Sequence, residues 1–77
     1  MTEINKSEAF LRAIQESARL LSQNRPGEAI EKLRDLYAQA PTDPDVAINL
    51  GGAYILQRKW DRAVAVLSKA AEVNADN

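Results

Sequence analysis

One internal echo constrains this chain more than any other feature. At an offset of 34 residues, Ala13, Ile14, Gln23, Ala29 and Leu33 recur as Ala47, Ile48, Gln57, Ala63 and Leu67. Conservative matches fall between the identities: Ser17 with Gly51, Leu20 with Tyr54, Leu21 with Ile55, Arg25 with Lys59 and Ile30 with Val64. Self-similarity at that period is the mark of stacked helical units, each of which buries its apolar face only against a neighbour. The expectation is therefore a binding scaffold.

Proline and glycine divide the chain at Asn24-Arg25-Pro26-Gly27 and Pro41-Thr42-Asp43-Pro44, with a softer break at Gln57-Arg58-Lys59. The fold class this predicts is all-α, with four helices in two stacked antiparallel hairpins. The first helix is expected to start from an Asn5 cap, with Glu8 reaching back, and to run to about Gln23. The second spans about Gly27 to Gln39 and is stopped by Pro41. Asp43 is placed to cap a third helix whose first residue is Pro44, where the missing N–H costs nothing. The fourth begins at Lys59 or Trp60 and reaches Asn74.

Apolar residues inside these segments keep helical spacing. Phe10, Ala13, Ser17 and Leu20 form one stripe, and Ala47, Leu50 or Gly51, and Tyr54 another. Ala29, Leu33 and Leu36 answer the first, and Ala63, Leu67 and Ala70 answer the second. The small residues Ser17, Ala29, Gly51 and Ala63 are expected where paired helices come closest.

Composition removes several function classes. A chain of 77 residues makes one small domain, and without cysteine it has neither a disulfide nor a thiolate metal site. Ten basic residues against eleven acidic ones exert no long-range pull on phosphate backbones or anionic lipid, so neither nucleic acid nor a membrane is an expected partner. With no apolar leader after a basic start, the chain reads as soluble, not exported, and cytoplasmic. Histidine is absent too, and there is no glycine-rich phosphate loop or metal-spaced carboxylate cluster. No catalytic residue, metal or cofactor is therefore expected. Asp43, Asp45 and Asp61 read as charges stabilised at helix N-termini. Glu28, Glu31, Lys32, Arg34 and Asp35 read as a solvated face with opposite-sign neighbours.

Asn49-Leu50-Gly51-Gly52-Ala53-Tyr54, followed by Trp60-Asp61-Arg62-Ala63 and Leu67-Ser68-Lys69-Ala70, resembles the tetratricopeptide repeat at that family's leucine-glycine, tyrosine, alanine and aromatic positions. Phe10 to Asp43 keeps Ala29, Leu33 and Pro41 in register, but has Glu16 for leucine, Ser17 for glycine, Leu20 for tyrosine and Leu36 for alanine. The resemblance covers Phe10 to Asn77. It implies residues 1–9 as lead-in and start of the first helix, one repeat over 10–43 and a second over 44–77, in a right-handed α-solenoid. It also implies a protein or peptide ligand on a concave face lined by the first helix of each pair. The matching positions are Leu11, Ile14, Ala18, Leu21 and Ser22, then Asp45, Ile48, Gly52, Ile55 and Leu56, with Asn49 beside them. The family's carboxylate clamp for acidic chaperone tails is not expected, because Ile14 and Ala18 stand where it needs a lysine and an asparagine. Spacing independently sets Leu11, Ile14, Ala18 and Leu21 beside the hairpin-packing stripe, as an apolar groove or as packing between the first and third helices.

The two ends differ. Arg12, Glu16 and Arg19 align with Val46, Leu50 and Ala53, which makes the first edge polar, whereas Val64, Ala71 and Val73 leave the last helix with an apolar edge. That edge fits either a piece of a longer repeat protein or a face covered by a second copy; a homo-oligomer, a dimer through the last helix or by helix exchange, is the expectation. The alternative to a ligand-binding module is a structural or assembly unit, a fragment or a designed repeat, with no ligand beyond itself. Trp60, at the family's aromatic turn position, is expected to pack.

Overall fold

The computed structural model describes residues 7–74, which form four helices: α1 Glu8–Ser22, α2 Pro26–Gln39, α3 Pro44–Leu56 and α4 Trp60–Asn74. No strand occurs among the described residues. The all-α class and the four elements stand as expected, with ends within about two residues, except at the start of α1. There Ser7 is the N-cap, its Oγ accepting from the Phe10 N–H at 3.1 Å, so the cap stands two residues later than expected. Asn5 lies outside the described residues.

Asp43 caps α3 as its sequence position demands. One carboxylate oxygen accepts from the N–H groups of Asp45 at 2.9 Å and Val46 at 3.2 Å, and Pro44 follows as the first helical residue.

The two hairpin turns are the same turn, made twice. Arg25 N–H donates to the Leu20 carbonyl and Asn24 N–H to that of Leu21; in the second unit Lys59 N–H donates to Tyr54 and Arg58 N–H to Ile55. This pairing closes the helix C-terminus and requires a left-handed residue just past it. Asn24 at φ 60° and Arg58 at φ 61° supply it. Asparagine tolerates that region; arginine carries a Cβ penalty there.

Each hairpin packs its own helices together, and α3 lies across both α2 and α1. The core accordingly centres on α2 and α3: Leu33, Leu36, Val46, Ala47 and Leu50 join Ala29, Val66 and Ala70 in one buried cluster. Val46, Leu50 and Ala53 are buried, as their inward placement required. Ser17 is buried as well, and its hydroxyl is satisfied by donating to the Ala13 carbonyl at 2.8 Å.

Leu67 lies over Gly51 as the answering stripe required: a Cβ built on that glycine would stand 2.6 Å from its Cγ. It is only half-buried, however, and Val66 joins Ala63 and Ala70 as the buried face of α4. The expectation about the charges of α2 is corrected, for they do not pair along their own helix. Lys32 reaches Glu16 of α1 at 3.3 Å, and Glu28 pairs with Arg25 at 2.7 Å. Both pairs are half-exposed, so each contributes about 0 to 1 kcal/mol at most.

Candidate functional site

Because α1 and α3 are the first helices of their hairpins and touch each other, their outward sides form one continuous face. The structure divides the expected groove residues into two groups. Ile14 and Leu21 are half-buried and pack on the core, so they serve mainly to seat α1. Leu11, Ala18, Ser22, Asp45, Ile48, Ile55 and Leu56 are exposed, with Asn49 and Gly52 half-buried among them. Leu11 at 43 % and Leu56 at 47 % are the large apolar side chains at two ends of this face. A Cβ added at Gly52 would meet nothing within 4 Å, so the surface there is open to solvent. Asn49 does not face a ligand unencumbered: its Nδ2 donates to the Asp45 carbonyl one turn back, at 2.8 Å.

A second apolar feature lies on the far side of the second hairpin. Pro44 and Ile48 of α3 with Leu67, Ala70, Ala71 and Asn74 of α4 enclose a hollow of about 230 Å³. Ile48, one of the expected groove residues, thus lines this hollow, and it is 61 % exposed. Val64 and Val73 stand exposed on α4 near it, as the aligned sequence suggested, and Ala71 lines it.

Trp60 is where the structure departs most from expectation. It is not buried: the residue is 56 % exposed at the first turn of α4. The repeat pattern could not reveal this, because the residue 34 places earlier is Pro26, which leaves no aromatic counterpart to compare.

The polar surfaces carry no chemistry of their own. A hollow of about 360 Å³ between α2 and α4 is rimmed by Glu31, Arg34, Lys59 and Arg62, charges suited to holding water. Among the described residues no three histidine, cysteine, aspartate or glutamate side chains are grouped to hold a metal. No described helix is long and apolar enough to cross a membrane. What the described residues offer is exposed apolar surface on α1, α3 and α4.

The family model described as Tetratricopeptide repeat matches residues 20–77. No curated protein and no solved structure matches the chain.

Proposed function

Since the chain belongs to the tetratricopeptide repeat family, whose general work is protein–protein interaction, we propose that it binds an apolar peptide or amphipathic helix of another protein along the concave face of α1 and α3. The observation that supports the reading is the open surface at Gly52, on the same helix as exposed Ile55 and Leu56, with Leu11 exposed on the neighbouring α1. An amphipathic helix laid there buries one apolar face and leaves the other wet. Anchors at i, i+3 and i+7 match such a surface better than a charged peptide does. Selectivity on such an apolar surface rests on shape and burial.

The test is a selection of helical peptides on the wild-type chain followed by titration against Gly52→Glu and Ile55→Glu. Both positions face outward, so the helical circular dichroism persists in each variant. Affinity for the selected peptides is expected to fall by about tenfold or more when a charge enters the apolar contact. Selected peptides that bind both variants as tightly as the wild type would remove the concave face from consideration.

A further inference from the structure

The hollow beside α4 is the counterpart of a filled one. Moving back 34 residues turns Ile48, Leu67 and Ala71 into Ile14, Leu33 and Tyr37, and these sit in or against the core that α3 closes with Val46, Ala47 and Leu50. Among the described residues, nothing covers in the second hairpin the surface that α3 covers in the first. Its α4 wall carries smaller side chains, Ala70 and Ala71, where the first hairpin has Leu36 and Tyr37. Whatever fills it must carry a bulkier side chain than α3 does. A cavity of about 150 Å³ takes up benzene, so a hollow of this size has room for an aromatic ring.

α4 itself carries that ring. Trp60, Val64, Leu67, Ala71 and Asn74 follow one another at steps of four, three, four and three residues, the spacing of a helix–helix seam. Trp60 and Val64 on this seam are more than half exposed, and among the described helices α4 packs against α3 alone. The large member, Trp60, stands at one end of the helix, and the hollow of Ala71 and Asn74 at the other. If two such helices cross antiparallel at Leu67, the ends exchange places and each tryptophan arrives at the other's hollow. At that crossing Leu67 meets its own copy, and Ala71, one turn on, leaves room beside it.

We propose that this chain forms a two-fold dimer through α4, with Trp60 of each copy seated in its partner's hollow between Ile48, Ala71 and Asn74. The same surface serves both copies, so the contact closes on itself. End-to-end stacking, the other way for copies to fill the hollow, is opposed by Arg12 and Arg19, which lie on the face of α1 equivalent to the one α3 buries. A charge entering an apolar hollow without a partner is costly. Asp61 and Glu72 flank the seam on one side and bring like charges together across it, so the dimer is of modest affinity. Leu11, Ala18 and Gly52 lie outside this contact, whereas Ile48 belongs both to it and to the expected peptide face.

Trp60 is the chain's sole tryptophan, so its fluorescence reads the proposed contact directly. Light scattering and tryptophan emission are measured together from micromolar to millimolar chain. The expected result is a monomer–dimer transition in mass, with the emission shifting to the blue along the same concentration curve. Trp60→Ala and, separately, Ala71→Glu are expected to weaken dimerisation at least about tenfold with helicity retained. Gly52→Glu is expected to leave it unchanged. A chain that stays monomeric to millimolar concentration overturns the proposal. So does a dimer that forms without change in tryptophan emission or survives both variants, or a tryptophan already blue-shifted in the monomer, where the chain's own residues cover it.

Discussion

Adjacent glycines in α3 offer a sharp test of how the second hairpin is packed. In a helix interior, glycine is about 1 kcal/mol less favourable than alanine, because it has more backbone freedom to lose. At Gly52 a new Cβ meets nothing within 4 Å, so Gly52→Ala is expected to stabilise by nearly that amount. For a domain of this size, about 1 kcal/mol raises the melting temperature by about 4 to 8 °C. At Gly51 the same gain is opposed by Leu67, whose Cγ, Cδ2 and Cδ1 lie 2.6, 2.7 and 3.0 Å from the added carbon. Since Cγ itself is too close, rotating the methyl groups does not relieve the clash; the whole side chain must change rotamer or the helices must part. Overpacking of this kind costs about 1 to 3 kcal/mol, so Gly51→Ala is expected to fall between neutral and about 2 kcal/mol destabilising. Urea unfolding followed by circular dichroism measures both variants, which should differ by about 1 to 3 kcal/mol. Introducing Gly51→Ala into a Leu67→Ala background removes the clash, and there the step should be stabilising, giving a coupling of the same size. If Gly51→Ala stabilises the intact chain as much as Gly52→Ala does, the close crossing of α3 and α4 at Gly51 is wrong.

Three further outcomes follow from individual contacts. Arg58→Gly removes a Cβ from the left-handed position at φ 61° and should raise stability by about 1 kcal/mol in thermal unfolding, whereas Asn24→Gly should change it by less, since asparagine already tolerates that region. Asp43→Ala leaves the N–H groups of Asp45 and Val46 without their side-chain acceptor and should cost about 0.5 to 2 kcal/mol by urea titration. Leu33→Ala opens a cavity at a fully buried site between the hairpins and should cost about 2 to 5 kcal/mol, enough to abolish the cooperative urea transition of so small a core.

Much of this architecture is written locally. Proline and glycine placed the breaks, the Asp43-Pro44 pair announced the start of α3, and the 34-residue echo foretold two like hairpins, because capping and turn chemistry act within a few residues. Even the left-handed turns recur at that spacing, in Asn24 and Arg58, although no identity marks them. The backbone conformation repeats where the side chains do not, and only the helix-closing hydrogen bonds reveal it.

Burial was decided between helices, and periodicity reads one helix at a time. Leu67 keeps the register of Leu33, yet Leu33 is covered by α3 and, among the described residues, Leu67 by no equivalent helix, so the same sequence position is buried in one hairpin and half-buried in the other. Ile14 and Ile48 diverge for the same reason: one is drawn into the core, while the other stands exposed at the hollow. Trp60 is left in solvent because its surroundings at the α4 terminus are set by where α3 and α4 cross, a relation no short stretch of sequence encodes. The sequence by itself determined the helices, their caps and their pairing into repeats. Which apolar faces were spent on the core, and which remain to bind, depended on the order in which the helices stack, since each residue's burial is settled by the neighbour laid over it.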